Sequence, residues 1–402
     1  MSGQDESGKQ TSETSDAVSL LRKAEAGDAH AQDQLGNQYA NGLGAAPDNT
    51  QAAKWWERAA LQGVAHAQNQ LAYCYERGAG MPQDHSLAFY WFHTAAEQGF
   101  IAAQFNVGTM YERGLGTPQD YVEASKWLQK AADQGDAPAE NDLAVLYLRG
   151  WGVELDPDKG VKLLRMAAEK GSASAEYNLG DAYASGRGVR RDPMQALEWF
   201  KKAASKGNPA AYYAIGYLSE TGKGTHRNYD DAILMYRKAA EAGFVRAQTA
   251  MAHLYAEGKG VPRDDSQAVV WFRKAADQGE PIAENGLGWL YFKGRGVSAD
   301  TRKAFEWFMR SAEQGYALAE GNLGYLFEHG LGVAPDYLEA HKWYQLAAAQ
   351  GLPEAKNALN ALSEVMTPKQ LQESDALAST WLQQHKAAGS GSWGSGVIVS
   401  QF

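Results

Sequence analysis

The sequence predicts an all-α protein, a solenoid of about nine helix-turn-helix repeats of 36 residues with a capping helix at each end. Three observations predict this fold class. Glycine recurs at a constant step, the residues between the glycines have helical apolar spacing, and a pair of glycines divides each unit into two helices. One such unit cannot bury its apolar face alone, so the units must stack on their neighbours.

The repeat is defined by a glycine that recurs every 36 residues at the end of each unit, which we call the closing glycine. Other sets of positions keep the same step. A Gly-x-Gly pair lies 15 and 17 residues after each of the first nine closing glycines, from Gly42 and Gly44 onward. An Asp or Asn stands at 21 residues, as in Asp48, and Trp recurs seven times at 28 residues, as in Trp55. The closing glycines are Gly27, Gly63, Gly99, Gly135, Gly171, Gly207, Gly243, Gly279, Gly315 and Gly351.

Each unit is predicted to contain two helices, which we call helix A and helix B. In the unit that follows Gly171, Ala175, Leu179 and Tyr183 lie on one face of helix A. The stretch "SGRG" ends that helix, since glycine adopts the left-handed conformation that a helix C-terminus needs. Asp192 and Pro193 then suit the N-cap and the first position of helix B.

The stretch "AEYNLGDAYASGRGVRRDPMQALEWFKKAASKG" resembles a Sel1-like repeat, a relative of the tetratricopeptide repeat. The shared pattern is A-x-x-N-L-G-x-x-Y-x-x-G-x-G-V, then D, then A-x-x-W-x-x-x-A-A-x-x-G. The resemblance covers about Ala17 to Leu362. It implies a bacterial-type, right-handed α/α superhelical solenoid that acts as a scaffold or adaptor and binds other proteins in its concave groove. A Cys-rich subset is linked to β-lactam binding or hydrolysis, but its Cys pairs are absent from this sequence.

The ends of the chain depart from the repeat. We predict a disordered N-terminus over 1–13, an N-terminal half-repeat over 14–26, repeats over 27–350 and a C-terminal cap over 351–385. Residues 386–402 have the composition of a flexible linker followed by an apolar peptide. We interpret the linker as engineered, with a native or vector-derived end as the alternative.

Composition limits the classes of partner. The 402 residues carry a net charge of −10, which disfavours nucleic acid and anionic membranes as partners. No apolar run approaches the roughly 18 residues that a membrane-spanning helix needs. The polar N-terminus has no apolar signal region, so we expect a cytoplasmic protein. A signal peptide removed from the sequence would make the protein periplasmic or secreted instead.

Catalytic chemistry is not indicated by the sequence. It contains no HExxH, GxSxG, P-loop or zinc-ligand spacing, and we predict no metal, no cofactor and no small-molecule substrate. The Gly-x-Gly pairs follow helices and so differ from nucleotide-binding loops. Cys74, the one cysteine, lies beside the apolar column of its helix and is predicted to be a buried, inert thiol.

Candidate contacts with a partner stand on helix A, six, ten and thirteen residues after the closing glycine. These positions follow one another by about one helical turn and lie outside the repeated pattern. Aromatic residues gather there in the C-terminal half, and amides recur. We predict partner binding by Asn141, Tyr177, Tyr213, Tyr217, His253, Asn285, Trp289, Phe292 and Tyr325.

These residue types suit peptide binding, because aromatic side chains supply binding energy and amides pair with a peptide backbone. Two other interpretations stay open. Trp289 and Phe292 could pack as core between neighbouring A helices, and the amides could hydrogen-bond to the next repeat. A further row before the glycine turns, Arg77, Arg113, Arg149 and Lys293, either complements helix dipoles or attracts an acidic partner or a C-terminal carboxylate.

Three functions therefore compete. The first is a non-catalytic adaptor that holds a partner peptide or C-terminus in the groove. The second is a tight binder of one folded partner, such as an immunity or signalling regulator, and the third is a hydrolase of the Cys-rich type. The chain's own tail is a candidate tethered ligand, comprising Val397, Ile398, Val399, Ser400, Gln401 and Phe402.

Overall fold

The computed structural model describes residues 18–42 and 46–388. Within these ranges every regular element is a helix, so the all-α class and the helix-turn-helix repeat are confirmed. The chain divides into two compact units, the first ending at Arg191 and the second beginning at Asp192. The predicted disordered segment 1–13 and the candidate tethered ligand, 397–402, lie outside the described residues.

The first unit is a series of alternating A and B helices. A short helix, α1, spans residues 18–25 and precedes the first full repeat. The others are α2 (Ala29–Asn41), α3 (Asn49–Leu61), α4 (Ala65–Arg77), α5 (His85–Glu97), α6 (Ile101–Arg113), α7 (Tyr121–Asp133), α8 (Ala137–Arg149), α9 (Pro157–Glu169) and α10 (Ala173–Ser185).

The second unit continues the alternation and begins with a B helix. Its helices are α11 (Pro193–Ser205), α12 (Pro209–Thr221), α13 (Tyr229–Glu241), α14 (Val245–Glu257), α15 (Asp265–Ala276), α16 (Pro281–Lys293), α17 (Thr301–Glu313), α18 (Ala317–His329), α19 (Tyr337–Ala349), α20 (Pro353–Val365) and α21 (Pro368–Ala388).

The helices begin and end where local chemistry requires it. Asp192 is the N-cap of α11, and its carboxylate accepts hydrogen bonds from the backbone N–H groups of Met194 and Gln195. The corresponding Asp or Asn caps each of the other B helices from α3 to α19. Gly186 ends α10 with φ +80°, the left-handed conformation predicted from the Gly-x-Gly pair.

Close packing of helix A on its own helix B builds the core. In the second unit Gly216 of α12 faces the ring of Tyr236 on α13, and an added Cβ would lie 2.7 Å from that ring. Gly288 of α16 faces Phe308 of α17 in the same way. A large ring on helix B therefore fits only because helix A carries a glycine opposite it.

Amide side chains connect successive helices, and in each pair the A-helix amide, Gln68 or Gln248, is buried. Gln98, at the end of α5, donates a hydrogen bond of 2.7 Å to Gln68 of α4, and Gln68 donates to the backbone carbonyl of Ala60 in the preceding α3. Gln278 and Gln248 repeat this arrangement in the second unit, ending on the carbonyl of Ala240. Because Gln68 and Gln248 are hydrogen-bonded on both sides, burying them costs little.

The last helices close the second unit. Trp381 of α21 packs edge-on against Trp343 of α19, with ring centroids 5.5 Å apart. The buried His341 imidazole lies 3.0 Å from the Ser374 hydroxyl and 3.1 Å from the Ser363 hydroxyl. These contacts tie α19, α20 and α21 together.

Candidate functional site

Helix A side chains at the three candidate positions differ between the two units. In the second unit they form two aromatic groups, one on α12 to α14 and one on α16 to α18. In the first unit Tyr177 is buried, with 4% of its surface exposed. The candidate residues therefore fall into separate sets, and those of the second unit carry the exposed aromatic surface.

The first aromatic group is built around Tyr213 and Tyr217 of α12, which are both half-buried. The Tyr213 ring lies 5.4 Å from that of Tyr236 and 5.3 Å from that of Phe244. Burial raises the pKa of Tyr213, so its hydroxyl stays neutral and can donate a hydrogen bond. Tyr217 accepts a hydrogen bond of 3.2 Å from the Lys223 ammonium.

His253 of α14 adds an imidazole to the second unit. The side chain is exposed, and its ring meets the ring of Phe272 edge-on at 5.0 Å. Partial removal of the imidazole from water lowers its pKa, so the neutral form predominates near neutral pH. A neutral imidazole both donates and accepts hydrogen bonds, as a peptide backbone does.

The second aromatic group lies on α16 and α18. Phe292 and Tyr325 meet edge-on with their centroids 6.1 Å apart, and 43% of the Tyr325 surface is exposed. Trp289 is half-buried, packed against the core on one side, with the Arg295 guanidinium 4.8 Å from its ring. Trp289 and Phe292 thus contribute to the core and also retain exposed surface, so the two interpretations of these residues are not exclusive.

The two candidate amides make hydrogen bonds to the next repeat, in agreement with one of the two interpretations that the sequence allows. Asn141 is 3% exposed. It accepts a hydrogen bond of 2.9 Å from the Asn178 amide and donates one of 3.0 Å to the Asp142 carboxylate. Asn285 accepts a hydrogen bond of 2.9 Å from the Asn322 amide. Both amides therefore have a structural role, and partner contact by either one stays a prediction.

Three residues of this surface were not identified from the sequence. Phe244 precedes α14 and packs on Tyr213, Arg295 lies over Trp289, and His329 stacks on Tyr325 at 4.2 Å. Phe244 and Arg295 stand in turns, outside the three helix A positions considered above. Their spacing from the helix A positions gives no periodic signal that would have revealed them.

The one cysteine of the chain is buried and unreactive in character. Cys74 is 4% exposed, and burial raises the pKa of its thiol to about 11, as expected of an inert cysteine. Among the described residues no group of three or more His, Cys, Asp or Glu side chains could hold a metal ion. None of the described helices has the length and apolar character needed to cross a membrane.

Comparison with known proteins agrees with this architecture. The family model described as "Sel1 repeat" matches nine successive segments, 29–64, 65–100, 101–136, 137–172, 173–208, 209–244, 245–280, 281–316 and 317–352. None of the curated proteins compared with the chain matches it.

Two solved structures are similar over most of their length. A protective antigen of uropathogenic Escherichia coli with the same repeat fold is 32% identical, over 95% of this chain and 91% of its own, with a TM-score of 0.52. A Sel1 repeat protein from Oxalobacter formigenes is 33% identical, over 77% of this chain and 90% of its own, with a TM-score of 0.56. With nine matched repeats and these two relatives, the chain belongs to the Sel1 repeat family.

Proposed function

We propose that this protein is a non-catalytic scaffold that binds a partner protein, through an extended peptide or a C-terminal segment, on the A helices of its second unit. Sel1 repeats form a fold that typically serves protein interaction. The observation that carries the proposal is the exposed aromatic surface on α16 and α18. Trp289, Phe292 and Tyr325 keep surface in solvent although they stand outside the columns that the repeat needs.

Aromatic residues in this state are suited to binding. A half-buried Trp or Tyr is already held by its own core contacts, so little side-chain entropy is lost when a partner covers it. Trp and Tyr are also enriched among the few residues that dominate binding energy. The Arg295 guanidinium over Trp289 fixes the indole further, since cation–π contact restrains both groups.

A peptide-display experiment tests the proposal. Random 12-residue peptides are selected on the intact chain, and the affinity of the best binder is measured by calorimetry for the unmodified protein and for Trp289→Ala. We expect Trp289→Ala to weaken binding by about tenfold or more, as for a central aromatic contact. Tyr337→Ala is the matched control, because Tyr337 is a 48% exposed aromatic residue on the B helix α19.

The outcomes separate the alternatives. Equal losses in the Trp289 and Tyr337 variants, or none in the Trp289 variant, would show that the peptides bind elsewhere. If no peptide is selected while a folded partner binds and is weakened by Trp289→Ala, the protein recognises a folded surface instead. Thermal unfolding midpoints of both variants must stay close to that of the unmodified chain for the comparison to hold.

A further inference from the structure

Four of the Gly-x-Gly turns carry a cation between their two glycines, and in three of them that cation has a partner. Lys223 donates to the Tyr217 hydroxyl at 3.2 Å, Lys259 pairs with Glu257 at 2.5 Å, and Arg295 pairs with Asp265. The fourth cation is Arg187 of the first unit. Its side chain donates no hydrogen bond to any residue that the structure describes, and its Nη1 atom is buried.

The turns of Arg187 and Arg295 have the same backbone setting within their own units. An added Cβ on Gly296 would lie 2.2 Å from the carbonyl oxygen of Asp265, the first residue of α15. On Gly188 it would lie 2.3 Å from the carbonyl oxygen of Pro157, the first residue of α9. Positions 157 and 265 are therefore equivalent, and only one of them carries a carboxylate.

The pairing of Arg295 shows which acceptor a guanidinium binds at this position. Its Nε and Nη2 atoms donate to the two carboxylate oxygens of Asp265, at 2.9 and 2.5 Å, and Nη2 also donates to the Ala256 carbonyl at 2.8 Å. This is the bidentate geometry that guanidinium and carboxylate prefer. The hydrogen bonds from Arg295, and those from Arg263, hold the pKa of Asp265 well below its ordinary value.

The neighbours of Arg187 add positive charge and exposed aromatic surface. Partial burial, and then the charge of Arg187, lower the pKa of Arg149, with Asp181 as the opposing acid. Arg149 is exposed, forms no ion pair with a described residue, and lies 5.4 Å from the ring of Trp151. Trp151 is 37% exposed and packs on Tyr121 at 5.2 Å. Two arginines thus lie close together in a protein of net charge −10.

The two nitrogens through which Arg295 pairs with Asp265 are Nε and Nη2, and in Arg187 neither has an acceptor among the described residues, so both can donate to a carboxylate in the equivalent place. We propose that Arg187, assisted by Arg149, binds a carboxylate of a protein partner in the way that Arg295 binds Asp265. The carboxylate would lie where the Asp265 side chain lies in the equivalent turn. This site is in the first unit and so is additional to the aromatic surface. It rests on the proposed function in one respect only, namely that the carboxylate belongs to a partner protein.

Arginine side-chain NMR tests the site without knowledge of the partner. The full chain is labelled with ¹⁵N-arginine, and the Arg187 Nε–Hε signal is identified from its loss in Arg187→Lys. N-acetylglycine, which mimics a peptide C-terminus, and N-acetylaspartate amide, which mimics an acidic side chain, are titrated separately at constant ionic strength. We expect a saturable shift of the Arg187 signal in the millimolar range and a smaller response from Arg295.

Two reciprocal variants provide the matched controls. Pro157→Asp supplies the internal carboxylate that α15 already has at its first residue, and should weaken the response of Arg187 by about tenfold or more. Asp265→Pro removes the partner of Arg295 while keeping a residue that suits a first helical position, and should create a response at Arg295. Arg149→Ala should weaken binding at Arg187 several-fold.

The titrations decide the proposal directly. A stronger response to one of the two acids identifies a C-terminal or a side-chain carboxylate as the ligand type. No saturable shift, an equal shift with chloride, or unchanged binding in Pro157→Asp would overturn the site. Inorganic phosphate binding at least as tightly as either acid would overturn the assignment to carboxylate. Peptide capture through Trp289 is measured separately, so failure of one proposal leaves the other standing.

Discussion

Replacement of Glu112 by Gln should make the first unit more stable above neutral pH and change it little in acid. Glu112 lies near the end of α6, with 6% of its surface exposed, and its carboxylate has no hydrogen-bond or ion-pair partner among the described residues. Burial, and then the nearby charge of Asp142, raise the pKa of Glu112 to about 7, against a smaller opposing effect of Arg113.

The magnitude follows from the two pKa values. The shift from the ordinary 4.5 to about 7 is about 2.5 units, which at 1.36 kcal/mol per unit gives about 3 kcal/mol. Between pH 4.5 and 7 the folded state binds the extra proton, so the free energy of unfolding decreases as pH rises. Above pH 7 the ionised Glu112 costs the folded state about 3 kcal/mol, which Glu112→Gln should largely recover.

The second unit supplies the control. There the Tyr236 hydroxyl donates a hydrogen bond of 2.7 Å to the carboxylate of Glu220. Glu220 occupies the same position in its repeat as Glu112 does in its own. Leu128 occupies the place of Tyr236, and Gly108 faces it as Gly216 faces the tyrosine. Leu128→Tyr should therefore supply the missing donor, lower the pKa of Glu112 and reduce the pH dependence while the charge is kept.

Urea denaturation at pH 5, 6, 7 and 8, followed by circular dichroism, measures the effect. The difference in unfolding free energy between Glu112→Gln and the unmodified chain should grow from less than about 1 kcal/mol at pH 5 to about 3 kcal/mol at pH 8. A difference that is constant with pH, or a variant less stable at pH 8, would refute the assignment of the shift to buried Glu112.

Three further predictions concern the core and the helix ends. Gly288→Ala should destabilise the second unit by about 1–2 kcal/mol in urea denaturation, because the Cβ would lie 2.8 Å from the Phe308 ring, which outweighs the gain in helix propensity. Cys74 should react with a thiol reagent at pH 8 only as fast as the chain unfolds, since burial raises its pKa to about 11. Asp336→Ala should cost about 1 kcal/mol, measured in the same way, because Asp336 caps α19 with two backbone hydrogen bonds.

The fold could be predicted because the same signals for helix starts and helix ends recur in each repeat. Asp192 and Pro193 mark the start of α11 by their own chemistry, and Gly186 marks the end of α10. Nine copies of these local signals leave little room for another class of fold. Side-chain contacts between neighbouring repeats were harder to predict. Asn141 and Asn178 are 37 residues apart in the sequence, and an amide hydrogen-bonds equally well to water, to a peptide or to another amide.

The candidate site was predictable only in part, because it too depends on contacts between residues that are distant in the sequence. Periodicity shows that Trp289 and Tyr325 stand outside the repeated columns, but the exposed fraction of each depends on the residues packed beside it. Arg187 gives no signal in the sequence, because its difference from Arg295 lies in Pro157, a residue 30 positions earlier that looks like an ordinary helix start.

The amide chain through Gln98, Gln68 and Ala60 has a consequence for how such proteins change length. Each of its bonds runs within one repeat or to the adjacent one, and Gln278, Gln248 and Ala240 repeat it at the same spacing. A duplicated segment of 36 residues that carries both amides therefore brings with it the partners of these hydrogen bonds. Copying such a segment needs no compensating substitution for these bonds, so the number of repeats can change separately from the residues that contact a partner.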